Sequence, residues 1–177
     1  MYSRILFAVD DDAALPAAVP VVAAYALRWG AVVRVLHVHR FDPDAVDGAS
    51  RRLVKSVTDY LVEKGLFAEG EVRLLARHEK VGEAIARAAT EAGADLVVVG
   101  SHGRSDLGAL VRGSIGHDVA SGLDLSVLVL RAAPITAAEP RTIVVAVDGS
   151  AASDRAVAEA GEIAVAFGAE VVVLHAR

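Results

Sequence analysis

Short, uninterrupted runs of apolar residues alternate with longer amphipathic stretches along the first 131 residues. Such runs are typical of strands covered on both faces, and apolar residues at three- and four-residue spacing indicate helices. The pattern predicts an α/β domain with a doubly wound, five-stranded parallel sheet whose third strand lies near the edge. The predicted strands are residues 5–9, 32–38, 71–77, 95–100 and 126–131, and the predicted helices are residues 16–29, 51–66, 81–92 and 113–123.

The beginning of this pattern recurs near the end of the chain. Ile143–Asp148 repeats Ile5–Asp10, and Leu174-His175 repeats Leu36-His37, each at the same offset of 138 positions. The sequence therefore predicts a domain at residues 1–131, a proline-containing linker at 132–140 and a partial second repeat, β-α-β, at 141–177. Because His37 and His175 occupy the same repeat position, we predict a structural role for both histidines rather than a chemical one.

The fourth predicted strand leads into a glycine-rich segment. Gly100, Gly103 and Gly113 follow the spacing G-x2-G-x9-G, and Ser114 opens the next predicted helix. Glycine allows the backbone to approach a ligand closely, and the unpaired amides and dipole at a helix start favour an anion such as phosphate. An ordinary strand-to-helix loop that needs glycines only to turn is the alternative.

This spacing, with the string Gly-Ser-His-Gly-Arg at 100–104, resembles the signature of the ATP-binding branch of the universal stress protein family. The resemblance covers residues 3–131 and, in part, residues 141–177. It implies the strand order 3-2-1-4-5. Ligands of such sheets bind where the strand order reverses, here between the ends of the first and fourth strands.

The resemblance also implies nucleotide-binding residues. By resemblance, Asp10 accepts hydrogen bonds from the ribose hydroxyls; the alternative is a solvated acid at a strand end. The resemblance also implies that backbone groups of Val38 bond to the edge of the adenine ring. The remaining implied residues hold the phosphates and are Gly100, Gly103, Gly113, Ser114 and Ile115. No catalytic or metal-ligating residue is predicted.

The first copy departs from the family at the end of its first strand. The family pattern there is Asp-Gly-Ser, which the second copy has at residues 148–150, whereas the first copy has Asp10-Asp11-Asp12. The two additional carboxylates repel a polyphosphate unless a divalent cation lies between them. The expected cofactor is therefore ATP with Mg²⁺ or Mn²⁺, bound more weakly or with a stronger metal requirement. Alternatively, Asp12 caps the first helix.

Charge and composition narrow the partners and the location. The net charge of −5 disfavours nucleic acid, the absence of cysteine excludes thiol chemistry, and no apolar run is long enough to predict a membrane span. The start of the chain has no signal-peptide layout, so we expect a cytoplasmic protein. Because the apolar strands of the half-repeat need covering, we expect a homodimer formed through the half-repeat or the last strand.

Three classes of function remain open. The first is an ATP-binding stress-response or signalling module with slow turnover or none. The second is a nucleotide-free dimerisation or adaptor module, which applies if Asp11 and Asp12 block the pocket. The third is an ATP-using enzyme, which is disfavoured because the motifs of such enzymes, Ser-Gly-Gly-x-Asp-Ser and His-x-Gly-His, do not occur in the sequence.

Overall fold

The computed structural model describes residues 1–10, 15–39, 48–101, 125–131 and 137–175, with the backbone alone for Ser101 and Arg131. The chain divides into two compact units, residues 2–136 and residues 137–177. Within the described residues, none of the helices is long and apolar enough to cross a membrane.

The first unit contains a five-stranded parallel sheet with the strand order β3-β2-β1-β4-β5. This order confirms the predicted doubly wound α/β fold. The predicted fourth helix, residues 113–123, lies outside the described residues. The elements are β1 (Arg4–Ala8), α1 (Leu15–Trp29), β2 (Val32–His39), α2 (Gly48–Glu63), β3 (Ala68–Leu74), α3 (Val81–Ala92), β4 (Leu96–Ser101) and β5 (Ser126–Arg131).

The predicted boundaries of α2 and β3 are wrong at both ends, each by three residues: α2 begins at Gly48 rather than Arg51, and β3 ends at Leu74 rather than Arg77. Helix α2 ends at Glu63 rather than Leu66, because Gly65 adopts a left-handed conformation (φ +83°) that stops the helix. Strand β3 begins at Ala68 rather than Glu71. Its first residues, which include a glycine and a glutamate, carry no apolar pattern, and pairing with β2 makes them a strand.

The hydrophobic core lies on both faces of the central strands. Leu6, Leu36 and Val97 are fully buried on one face, where they pack in a cluster with residues of α3. Phe7 and Val35 alternate with these residues along β1 and β2 and are also buried. Coverage of both faces explains why the central strands are apolar without alternation.

The second unit contains β6 (Thr142–Val147), α4 (Ala151–Phe167) and β7 (Glu170–His175), with β6 and β7 paired in parallel. Helix α4 is capped by Ser150, whose Oγ accepts a hydrogen bond from the Ser153 amide at 3.2 Å. The same serine donates its amide to Asp148 Oδ1 at 2.9 Å, and the hydrogen bonds of Ser150 lower the pKa of Asp148.

The same hydrogen bond occurs separately within each unit, between equivalent residues. His37 Nδ1 lies 2.9 Å from the Val9 carbonyl oxygen, and His175 Nδ1 lies 3.1 Å from the Val147 carbonyl oxygen. A carbonyl only accepts, so each histidine carries a proton on Nδ1. The repeat therefore extends from the sequence to side-chain hydrogen bonding.

The two copies differ in how far equivalent apolar side chains are buried. Leu6 and Leu36 in the first unit are fully buried, whereas their equivalents in the second, Val144 and Leu174, are each 57% exposed. In the first unit, α3 packs on the face that carries Leu6 and Leu36. The described part of the second unit has one helix, α4, and no equivalent of α3.

Candidate functional site

A cleft of about 60 Å³ lies at the carboxyl end of the central strands of the first unit. Strands β1 and β4 are neighbours in the sheet, with Ala8 opposite Val99, although they are far apart in the chain. Because β2 lies on one side of β1 and β4 on the other, the strand order reverses here. Doubly wound sheets bind their ligands at such a point.

Three of the predicted binding residues line this cleft. Asp10 follows the end of β1, Val38 lies near the end of β2, and Gly100 lies near the end of β4. The other predicted residues lie outside the described residues, as do Asp11 and Asp12. They are Gly103, Gly113, Ser114 and Ile115.

Hydrogen bonds to β2 hold the end of β1 in place. Val9 follows β1 and donates its amide to the Leu36 carbonyl oxygen at 2.8 Å, while its own carbonyl accepts the hydrogen bond from His37. The residue immediately before Asp10 is therefore bonded through both of its backbone groups. This contact supports the structural role predicted for His37, which fixes the backbone that presents Asp10.

At the opposite end of the sheet, Asp95 sets the register of β1 and β4. Its carboxylate accepts hydrogen bonds from the Ser3 hydroxyl (2.6 Å), the Ser3 amide (2.7 Å) and the Arg4 amide (3.0 Å). The Asp95 amide in turn donates to the Arg4 carbonyl oxygen at 3.0 Å. Burial alone would raise the pKa of Asp95, but these hydrogen bonds outweigh it and hold the pKa below its ordinary value.

The walls of the cleft are apolar. Leu36 and Val38 contribute from β2, Val99 from β4, and Val81 and Ile85 from the first two turns of α3. Helix α3 begins at this position because the Lys80 amide donates to the Glu83 carboxylate at 3.2 Å, an arrangement that satisfies an amide at the helix start. The cleft therefore combines an apolar interior with polar backbone at the strand ends.

Sequence reasoning did not assign Val81 and Ile85 to the site. Their four-residue spacing indicates the apolar face of a helix, and Ile85 is indeed buried in the core. That spacing does not distinguish a residue that packs on the sheet from one that also borders a cleft. Only the position of α3 over the strand ends makes this distinction.

Asp10 is the one ionisable residue among the described residues that line the cleft, and it is exposed. Its carboxylate can accept hydrogen bonds from hydroxyl groups, and the apolar walls can contact the face of a planar ring. The described lining has no nucleophile paired with a base. The described part of the chain also has no group of three or more His, Cys, Asp or Glu residues that could hold a metal ion.

Solved structures with the same fold include several universal stress proteins. One, in complex with cAMP, is 23% identical over 75% of this chain and 98% of its own, with a TM-score of 0.59. Another, from Archaeoglobus fulgidus in complex with dAMP, is 20% identical over 73% of this chain and 98% of its own, with a TM-score of 0.57. At these identities the likeness shows the fold alone.

A protein of unknown function from Pseudomonas aeruginosa PAO1 matches nearly the whole chain. It is 17% identical with a TM-score of 0.76, and the match covers 99% of this chain and 61% of the other. No curated protein matches the chain.

The sequence also matches a family model over both of its parts. The matching model is that of the universal stress protein family, and the matched residues are 1–131 and 139–177. These ranges include the glycine-rich segment, the strand ends that form the cleft and the second copy of the β-α-β unit. The chain therefore belongs to the universal stress protein family.

Proposed function

We propose that this protein binds an adenine nucleotide, ATP with Mg²⁺ or Mn²⁺, in the cleft between β1 and β4. It then acts as a nucleotide-dependent stress-response or signalling module with little or no turnover. One observation carries the proposal: Asp10, Val38 and Gly100 come from three separate segments and line one cleft at the point where the strand order reverses.

The chemistry of the cleft suits a nucleoside. Its apolar walls match the faces of a base, and Asp10 matches the hydroxyls of a ribose. A volume of about 60 Å³ is well below the roughly 300–1,000 Å³ of sites that enclose a drug-sized ligand. The described walls would thus contact only part of a nucleotide. The residues proposed to bind its phosphates, Gly113 and Ser114 among them, come after β4 in the sequence. The bound cAMP and dAMP in the two related structures support adenine nucleotides as the class of ligand.

The three consecutive carboxylates at residues 10–12 are the reason to include a divalent cation. When bound, the cation would offset the repulsion between these carboxylates and the phosphates of ATP.

The first experiment measures what the purified protein carries and binds. Mass spectrometry of the freshly purified, denatured protein should detect a released adenine nucleotide. Calorimetry should give a Kd for ATP with Mg²⁺ of about 1 μM, which corresponds to a binding free energy of about −8 kcal/mol.

Gly113→Val should abolish binding, because a branched side chain would occupy the space proposed for the phosphates. Gly161→Val is the matched control, since a Cβ at Gly161 meets no atom within 4 Å. Unchanged affinity in Gly113→Val would mean that the glycine-rich segment does not hold the phosphates.

A nucleotide-free dimerisation or adaptor module is the second candidate, and the additional carboxylates Asp11 and Asp12 favour it. Absence of released nucleotide together with no binding of ATP at any metal concentration would support this candidate. If incubation of the protein with ATP gave a reaction product, the protein would instead be an enzyme.

We also propose that the protein is a cytoplasmic homodimer assembled through the half-repeat. The exposed apolar side chains of β6 and β7, including Val144, Val173 and Leu174, support a partner for this unit.

A further inference from the structure

Strand β3 presents an open edge beside an unfilled groove. β3 pairs with β2 on one side, and within the described residues no strand pairs with its other side. The groove has a volume of about 440 Å³ and lies between this strand and helix α2. Its lining is formed by Gly70 and Val72 of β3 and by Arg51, Val54, Lys55, Thr58 and Asp59 of α2.

The backbone groups at the open edge can be identified from the pairing with β2. Val33 donates its amide to the Phe67 carbonyl oxygen, and Leu75 donates its amide to the His39 carbonyl oxygen, both at 2.9 Å. Odd-numbered residues of this segment therefore bond to β2. The amides and carbonyls of the even-numbered residues, which include Gly70 and Val72, point to the open edge and are available to another strand.

The usual protections of an edge strand are weak here on the α2 side. The charged side chains of β3 are held in ion pairs: Arg73 with Glu71 (2.7 Å) and Glu91 (2.7 Å), and Glu69 with Arg34 (3.4 Å). The even-numbered positions carry no lysine and no proline. The edge is therefore open to main-chain pairing along Gly70 and Val72.

Gly70 allows α2 to approach β3 closely because it has no side chain. A Cβ at this position would overlap Val54 Cγ1 and lie 2.9 Å from Thr58 Oγ1, so α2 packs directly on the backbone of β3. A strand added at the edge would lie about 4.8 Å from β3 and would direct alternate side chains into the groove.

The charged residues of the groove indicate the chemistry of one side chain on the added strand. Lys55 is paired with Asp59 at 2.5 Å, whereas Arg51 is exposed and makes no ion pair within the described residues. A guanidinium that pairs with no described carboxylate favours a carboxylate on the occupant. A second copy of this chain fits poorly, because the even-numbered residues of its own β3, Ala68, Gly70, Val72 and Leu74, offer no carboxylate to Arg51.

We propose that this edge is a docking site for an extended peptide segment of another protein. The segment adds a sixth strand beside β3, places apolar side chains in the groove against α2, and bonds a carboxylate to Arg51. Main-chain hydrogen bonds at Gly70 and Val72 supply the affinity, and the groove and Arg51 supply the specificity.

The test titrates the full, isotope-labelled chain with the blocked peptide Glu-Thr-Val-Thr-Val-Thr-Glu. This peptide places valines and both glutamates on one face, so either strand direction brings a carboxylate near Arg51. We expect amide shifts concentrated at Gly70 and Val72 and a Kd below about 1 mM. The same peptide with all its backbone amides methylated should not bind, because it can no longer donate hydrogen bonds to the edge carbonyls.

Charge reversal supplies the specificity control. Arg51→Glu should weaken binding of the acidic peptide by about tenfold and should favour its lysine counterpart, Lys-Thr-Val-Thr-Val-Thr-Lys. Arg52→Glu carries the same charge change one residue along α2, does not line the groove, and should leave the affinity unchanged within about twofold. The proposal would be overturned if the acidic peptide failed to bind or shifted amides at another surface. It would also be overturned if the two variants had equal effects, or if the chain formed a dimer through β3.

Discussion

At the scale of single residues, Asp95 joins the two strands that form the cleft at their amino ends. Its carboxylate receives three hydrogen bonds from Ser3 and Arg4, and its amide completes the pairing with β1. Charge-assisted hydrogen bonds of this kind stabilise a fold more than neutral ones. The contact lies at the amino end of the strands, far along β1 and β4 from Asp10 and Gly100.

Asp95 should make stability depend on pH in the acidic range. Because its folded-state pKa is lowered, its contribution is fully present above the unfolded-state pKa of about 3.9 and is lost as the pH falls through the lower folded-state value. Asp95→Asn should reduce the free energy of unfolding by about 1 kcal/mol at pH 7, and the difference should shrink toward pH 3. Urea unfolding at both pH values measures this.

Asp59→Asn is the control for this prediction. Asp59 is an exposed member of an i,i+4 ion pair with Lys55 on α2, and removal of its charge should cost only about 0.3–0.5 kcal/mol. A loss in Asp95→Asn that is equal at both pH values would show that the carboxylate charge does not supply the stabilisation.

The acidic end of β1 supplies a second residue-scale prediction, and the second copy shows what the family pattern does there. Gly149 adopts φ +81° and Ser150 caps α4, whereas the equivalent residues of the first copy are Asp11 and Asp12. Asp11→Gly with Asp12→Ser should strengthen ATP binding and reduce its dependence on the divalent cation, because two negative charges are removed. Calorimetry with and without Mg²⁺ measures both effects, and weaker binding would identify the carboxylates as supports or metal ligands.

At the scale of elements, helix α2 and strand β3 depend on one position without a side chain. Gly70→Ala should destabilise the fold by about 1–3 kcal/mol, because the new Cβ would overlap the buried Val54 and force α2 away from the sheet. Gly161→Ala in helix α4 should be neutral or stabilising by up to about 1 kcal/mol, since nothing lies within 4 Å of its Cβ. Denaturant unfolding compares the two variants, and equal stabilities would mean that α2 accommodates the methyl group without strain.

At the scale of the whole molecule, the exposed strands of the half-repeat determine what is expected of assembly. Two strands and one helix are too little to bury the apolar residues of β6 and β7, and units below about 40 residues rarely stand alone. We expect a homodimer in light scattering for the full chain and a monomer after deletion of residues 141–177. A monomeric full chain would contradict this expectation, whether hydrogen exchange found β6 and β7 protected or unprotected.

The sequence by itself predicted most of the elements and their order. Apolar periodicity is a local property, so it identified α3 at residues 81–92 and β5 at residues 126–131 with the boundaries that the structure has. The constant offset between the copies likewise predicted a shared structural role for His37 and His175, which bond to the equivalent carbonyls of Val9 and Val147. The strand order was expected from the family resemblance and is confirmed.

Tertiary structure alone decided which residues meet at the cleft and at the sheet edge. Val81 borders the cleft because α3 lies over the strand ends, and Ala68–Gly70 form a strand because β2 offers them backbone partners. Among the described residues, the open edge of β3 and the absence of an ion pair at Arg51 likewise depend on what lies beside them in space. Pairing and packing between distant segments are non-local, so no pattern read along the chain contains them, whereas helical and strand periodicity follows from local backbone geometry.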